Sequence, residues 1–258
     1  METTRSADGT VIAYDRTGDG PALIAVTGAF CDRGSFVPPD SLTAAFTVYT
    51  YDRRGRGDSG DTQPYSPDRE VEDLTAVIGA AGGPAFCFGH SSGAALVLRA
   101  AAQGAPVTAA VAYEAPYIIP GSREVVARPA ERIRELVGSD RRGDAVRFWM
   151  TDVVEAPARV VTMMEGSPAW PGLEALTHTL PYDLALTGDQ GVPAAELARI
   201  TVPVLVMGGG NSPEWFGRTV RETSAAIPGA RLQVMAGYDH GIPPEVLAPV
   251  LTEFFLGS

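Results

Sequence analysis

Gly89-His90-Ser91-Ser92-Gly93 carries the sharpest chemical signal in this chain. The five residues fit G-x-S-x-G. They follow the apolar run PAFCFG (84–89) and open the small-residue stretch SGAALVLRAAA. A strand entering and a helix leaving is the setting in which such a serine occupies a tight, strained turn with its hydroxyl exposed as a nucleophile. Glycines two places to either side relieve clashes in that turn. The helix N-terminus aims at the serine, and the Ser92 N–H is free to donate to an oxyanion. Serine is a weak nucleophile without a base. His240, in Gly237-Tyr238-Asp239-His240-Gly241, falls after the last strand pattern and before the last helical one, at the same sheet edge as Ser91. G-x-S-x-G alone is a common glycine/serine turn, and a lone histidine is usually structural; the topological setting favours the chemical reading of both. His90 adjoins the nucleophile but points elsewhere and is expected to line the pocket. His178 is expected to be structural or pocket-lining.

The elements that must position these residues follow from local patterns. TTRSA and VIAYDR flank Asp8-Gly9 and predict a hairpin. PALIAVTG, FTVYTYD (46–52), PAFCFG, VTAAVAYEA (107–115), VPVLVMGG (202–209) and ARLQVMAG (230–237) are apolar runs suited to strands buried on both faces of a parallel sheet. Ser66-Pro67 predicts a helix start with Ser66 as N-cap, and Val71, Leu74, Val77 and Ile78 share one face of that helix. Further helices are expected from Ser212-Pro213 and around EVLAPVLTEFF. Alternation of strands and helices implies right-handed crossovers and a mostly parallel sheet, with the hairpin adding antiparallel edge strands. The rhythm stops between 116 and 200, in a proline-bearing stretch of helical pattern that holds Trp149 and Trp170. The expected organisation is therefore an α/β core of residues 1–115 and 201–258 with a helical cap inserted at 116–200. Clefts in such sheets open at the C-terminal strand edge.

Composition excludes other classes. In 258 residues, 20 Lys+Arg stand against 31 Asp+Glu, a formal net charge of −11. Without a basic cluster such a chain is a poor nucleic-acid binder. A 45% hydrophobic and 20% charged composition is that of an ordinary globular protein. Two cysteines, Cys31 and Cys87, rule out a disulfide framework, and counting alone leaves one bridge open. No 18-residue apolar run occurs and the first residues lack the apolar core of a signal peptide, so a cytoplasmic protein without membrane association is expected. Oligomeric state, a homo-oligomer included, is left open.

The chain resembles an α/β-hydrolase over nearly its whole length. VTG (26–28), YDRRGRGDS (51–59), GHSSG (89–93), VPVLVMGG (202–209) and GYDH (237–240) carry the likeness. The resemblance implies the α/β-hydrolase fold. The D-x-R-G-x-G-x-S pattern, Asp52 to Ser59, is similar to the esterase, haloperoxidase-like and C–C hydrolase branch, where it is expected to stabilise its loop rather than touch substrate. A serine at position 91 argues against dehalogenases and epoxide hydrolases, which place Asp there. The family's oxyanion loop commonly reads His-Gly-x; here it is Thr27-Gly28-Ala29-Phe30, so Ala29 matches the usual backbone donor, with Phe30 the near alternative. The family's usual acid follows the strand VPVLVMGG, but Gly208 to Glu214 has no Asp at the matching place.

Glu114 is the replacement expected. It closes the preceding strand in Ala112-Tyr113-Glu114-Ala115-Pro116, where a buried carboxylate is costly unless paired, and some superfamily members carry their acid there. The plainer alternative is a Glu that faces solvent where the strand exits. Asp239 is a substitute hampered by its adjacency to His240, and Glu214 reads as a first-turn helix residue. The resulting expectation is a Ser91–His240–Glu114 triad with oxyanion donors Ala29 and Ser92. It would hydrolyse an ester-like small molecule (acyl ester, lactone or thioester) through an acyl-enzyme, with no metal or other cofactor. Phe30, His90, Trp149 and Trp170 are the expected substrate-binding side chains. Taken singly, Phe148, Met150, Met163, Met164 and Leu173 of the insertion are expected to be cap core; taken together, an apolar, Met-rich lining favours an acyl or aromatic substrate over a sugar. Tyr182-Asp183 is expected either to supply polar contacts or to belong to the structure of the cap, and nothing in the sequence separates the two. Cofactor-free perhydrolysis, C–C bond hydrolysis with the same triad, and a non-hydrolytic ligand-binding or cyclase-like role are the alternatives.

Overall fold

The apolar runs become the strands of a single sheet. The computed structural model describes residues 1–117, 128–188 and 191–257, so residues 118–127 and 189–190 of the expected insertion lie outside the described residues. Among the described residues there are eight strands: β1 (Glu2–Arg5), β2 (Val11–Thr17), β3 (Ala22–Val26), β4 (Thr47–Tyr51), β5 (Ala85–His90), β6 (Val107–Tyr113), β7 (Val204–Gly209) and β8 (Arg231–Met235). They lie in the order β1-β2-β4-β3-β5-β6-β7-β8. The β1–β2 and β2–β4 pairs are antiparallel, and every pairing from β4 to β8 is parallel.

The helices among the described residues are α1 (Asp40–Thr43), α2 (Pro67–Ala80), α3 (Ser92–Ala102), α4 (Pro129–Gly138), α5 (Arg142–Phe148), α6 (Ala158–Glu165), α7 (Trp170–Leu176), α8 (Leu180–Thr187), α9 (Ala194–Leu197), α10 (Glu214–Ala226) and α11 (Pro244–Leu256). A π-helical turn, Trp149–Val153, continues α5. Between β6 and β7 the described residues hold helices and turns but no strand. No helix of the described residues is long and apolar enough to cross a membrane.

The two-residue period of β3 shows why its apolar run is unbroken. Ile24 and Val26 face a core built with Val71, Leu74, Val77 and Ile78 of α2 and the alanine-rich side of α3. Leu23 and Ala25 face the opposite core, with Leu42 of α1 and Leu247, Leu251 and Phe255 of α11. Both faces are buried, so both parities must be apolar. Ser66 stands at the N-cap of α2 in extended backbone, yet its side chain makes no capping hydrogen bond; Pro67 and the acidic first turn open that helix instead. Cys31 and Cys87 are both free thiols, so the bridge that counting left open is not formed.

Small residues let α3 press against the sheet. A Cβ on Gly93 would lie 2.2 Å from the Val26 carbonyl oxygen, and one on Gly89 would lie 2.5 Å from that of Gly93. Both contacts are backbone against backbone, which no rotamer change relieves. Gly93→Ala is therefore expected to lose about 3 kcal/mol of stability. Gly79→Ala, on the exposed side of α2 where an added Cβ meets nothing within 4 Å, should gain roughly 0.5–1 kcal/mol. Urea unfolding of the two variants beside the parent checks both signs.

Candidate active site

β5 ends in the turn that leads into α3, and Ser91 sits at its apex with φ 57° and ψ −129°. That left-handed value is rare for a residue with a side chain and costs of order 1–3 kcal/mol. Hydrogen bonding from the Ser91 N–H to the Tyr113 carbonyl, at 2.9 Å, helps hold the turn. A Cβ on Gly28 would approach the Ser91 Cβ to 2.7 Å, so the loop after β3 crosses the serine as closely as a glycine permits.

One strand further on, Glu114 also has positive φ, 49°, and is 1% exposed. Its Oε1 accepts the Gly209 N–H at 2.8 Å, and its Oε2 lies 2.7 Å from Nδ1 of His240. Burial works to raise the Glu114 carboxyl, but the hydrogen bonds from His240 and from the Gly209 N–H outweigh it and hold the group below the usual carboxylate range. An ionised carboxylate only accepts, so Nδ1 of His240 carries the proton it donates and Nε2 is left as the free ring acceptor. Phe216 stacks on His240 at 5.1 Å between ring centroids, and His90 lies 4.6 Å away from it on the same measure.

Ser91 and His240 line one cavity of about 390 Å³, together with Gly28, Ala29, Phe30, Cys31, His90, Ser92, Trp149, Met150, Val153, Leu184 and Phe216, among others. The N–H groups of Ala29 and Ser92 border it without a hydrogen-bond partner among the described residues. Unpartnered backbone donors of this kind can receive an anionic oxygen. Among the described residues no cluster of three His, Cys, Asp or Glu side chains is placed to hold a metal ion.

Several expected residues sit elsewhere. Trp170 does not line the cavity. Its ring is buried beside α5, where Nε1 donates to Glu174 at 3.0 Å and the Arg147 guanidinium lies 5.8 Å from the ring centroid. Trp149 does line it, together with Met150 and Val153 of the same π-helical turn. Met163 is 69% exposed and lies away from the cavity. His178 sits 2.9 Å from the Gly55 carbonyl, outside the cavity, tying the turn after α7 to the loop after β4. His90 borders the cavity, with Nε2 2.8 Å from the His240 carbonyl oxygen. The Asp239 carboxylate caps the Gly241 N–H at 2.9 Å, and Glu214 is exposed at the start of α10.

A second buried group joins residues that the sequence offered only separately, Asp183 as a source of polar contacts among them. Asp183 of α8 lies under the cavity with Arg53, Arg56 and Ser92, each no more than 2% exposed. Burial works to raise the Asp183 carboxyl, but Arg56 and Arg53 hold it below the usual carboxylate range. The available signal was one charged residue inside the apolar stretch LPYDLALT, since charge in such a helix requires a buried partner.

A model of the alpha/beta hydrolase family matches residues 23–249, and the chain belongs to that family. An alpha/beta hydrolase of known structure from Sphaerobacter thermophilus is 48% identical, with a TM-score of 0.93 over 98% of this chain and 100% of that one. The enol-lactonase of Burkholderia xenovorans has a TM-score of 0.74 over 98% of this chain and 99% of its own, at 22% identity, a likeness of fold alone. N-formylmaleamate deformylase from Pseudomonas putida is 40% identical over 94 residues, 34% of this chain and 35% of that protein. That match spans about a third of the curated relative's length.

His90 generates a prediction about stability. Burial, followed by repulsion from His240, pushes it down from 6.5 to about 4, so it is neutral in the fold near neutral pH. An unfolded histidine takes up a proton below about 6.5. The unfolded chain then binds more protons than the folded one, so stability present above that pH is lost as pH falls toward 4. His90→Gln is expected to lose less melting temperature than the parent over that window, as read from thermal melts at stepped pH.

Proposed function

We propose that this chain is a serine hydrolase that cleaves a neutral, ester-like small molecule through an acyl-enzyme. The observation that carries the reading is the 2.7 Å contact between Glu114 and His240 on the wall of the cavity that holds the strained Ser91. In the proposed cycle, Nε2 of His240 takes the Ser91 proton as Oγ bonds to the substrate carbonyl carbon. The carbonyl electron pair moves onto oxygen, which the N–H groups of Ala29 and Ser92 receive. Glu114 keeps Nδ1 protonated and stabilises the imidazolium. Collapse expels the alcohol with the proton returned by His240, and water repeats the sequence to release the acid.

Substrate class is argued from the lining. Aromatic and aliphatic side chains make up most of it, and the described lining contains no Lys or Arg; its formally acidic members are Glu155 and Asp183. A carboxylate-bearing substrate would find no cation there among the described residues, which weighs against carrying over the anionic substrate in the deformylase's name. The volume of about 390 Å³ and the Trp149–Phe30 edge-to-face pair, 6.1 Å between centroids, favour an apolar acyl or aromatic group beside Ser91.

Ser91→Ala should fold like the parent, release no p-nitrophenol from acyl esters above background, and take no label from a fluorophosphonate. Retained turnover would remove the serine from the mechanism. Glu114→Gln should lower kcat by up to roughly 10⁴, while Asp239→Asn and Glu214→Gln stay near the parent; the reverse pattern would move the acid. Trp149→Ala should reorder the kcat/KM ranking of a p-nitrophenyl ester series by chain length and leave fluorophosphonate labelling intact. Trp170→Ala should leave that ranking as it is.

A further inference from the structure

We infer that Asp183 is a positioning residue that sets both oxyanion donors from the helical segment between β6 and β7. The inference rests on the proposed role of the Ala29 and Ser92 N–H groups. Asp183 Oδ1 accepts the Ser92 hydroxyl at 2.6 Å, Arg53 Nη1 at 2.9 Å and Arg56 Nη2 at 2.8 Å, and its Oδ2 takes Arg56 Nη2 at 2.9 Å. The two guanidinium groups then reach the loop after β3. Arg53 Nη1 donates to the Thr27 carbonyl at 3.3 Å, and Arg56 Nη1 donates to the Gly28 carbonyl.

The second of these bonds bears directly on catalysis. The Gly28 carbonyl and the Ala29 N–H belong to one planar trans peptide, so they point in opposite directions. Pinning the oxygen on Arg56 aims the N–H at the cavity. A rotated peptide would turn a carbonyl toward the developing negative charge. Ser92 supplies the second donor, and its hydroxyl is tied to the same carboxylate, so one side chain indexes both donors.

A plain structural ion pair explains less of this arrangement. Arg53 is already paired in fork geometry with Glu70, at 2.6 and 2.8 Å. The bonds from Asp183 to Ser92 and Arg56 run instead to the two segments that carry the donors. Asp183 also borders the cavity, and α8 spans the described residues 180–187, far in sequence from either donor. In this buried, low-dielectric setting the hydrogen bonds are strong and geometrically restrictive.

The test compares parent, Ser92→Ala, Arg56→Met and Asp183→Asn on one p-nitrophenyl ester. It also measures affinity for a trifluoromethyl ketone, which adds to a serine hydroxyl to give a tetrahedral oxyanion. Loss of an oxyanion donor costs about 10²–10³ in kcat; misplacing one is expected to cost about 10- to 100-fold, with KM within about twofold and ketone affinity falling by the same factor as kcat. Ser92→Ala keeps the fold and the backbone donor, so it carries the test even where the charge variants fail to fold. Unchanged kcat in Ser92→Ala overturns the inference. A rise in KM alone, or a kcat loss without loss of ketone affinity, overturns it as well. Ala29→Pro, which deletes the N–H, separates the two layers. Parent-like activity in Ala29→Pro refutes the oxyanion reading itself, whereas a crippled Ala29→Pro beside parent-like hub variants refutes only the role of Asp183.

Discussion

The approach of α3 to the ends of β3 and β5 is governed by backbone atoms, and the cavity floor inherits its geometry from that contact. Gly93 lets the helix meet the Val26 carbonyl, Gly89 lets the strand pass under the helix, and Gly28 lets the next loop cross Ser91. Each of these distances is too short for a side chain. Together they bring the Ser91 hydroxyl, the Ser92 N–H and the Ala29 N–H to one small volume. Side-chain repacking elsewhere changes the walls of the cavity, but this floor has no rotamer freedom with which to adjust.

The buried carboxylate beside His240 reflects a balance of large opposing effects. Placing Glu114 at 1% exposure in a left-handed conformation costs desolvation and backbone strain. The His240 ring and the Gly209 N–H offset that cost by hydrogen bonding both oxygens. The glycine-rich stretch after β7 contributes backbone where the family pattern usually has an acid. A Cβ on Gly209 would lie 2.6 Å from the Tyr238 carbonyl oxygen, and the Asn211 N–H donates to that same oxygen at 2.8 Å. The loop carrying His240 thus rests directly on this stretch, and the carboxylate arrives from the neighbouring strand.

Electrostatics beneath the cavity follow from an unusual composition. The chain has no lysine, so every side chain that is cationic at all ordinary pH values is a guanidinium. Arginine's planar fork suits buried carboxylates, which lysine's point charge satisfies less completely. Arg54 pairs with both oxygens of Asp73 at 2.7 Å and ties the loop after β4 to α2. Arg53, from the same loop, forks onto Glu70 of α2 and also reaches Asp183, while Arg56 runs the other way to Asp183. Removing one partner from such a buried set costs about 3–5 kcal/mol, because it strands a charge. The D-x-R-G-x-G-x-S segment therefore does more than brace its own loop.

Local patterns by themselves determined the strands, the sheet class, the serine turn and the candidate histidine. An apolar run buried on two faces and a glycine-flanked serine between strand and helix are constraints that neighbouring residues impose on one another. Glu114 was also nameable, because a carboxylate at the end of an apolar strand demands a partner. Tertiary structure alone decided which side chains of the helical stretch between β6 and β7 face the cavity. Trp149 and Trp170 are equally apolar in sequence, yet one lines the cavity from a π-helical turn while Glu174 and Arg147 hold the other at α5. It also decided that Asp183 meets Arg56 across 127 positions of chain. Burial periodicity is a local property that repeats along an element. Which charge finds which depends on how separate elements pack, and no spacing within either segment encodes that distance.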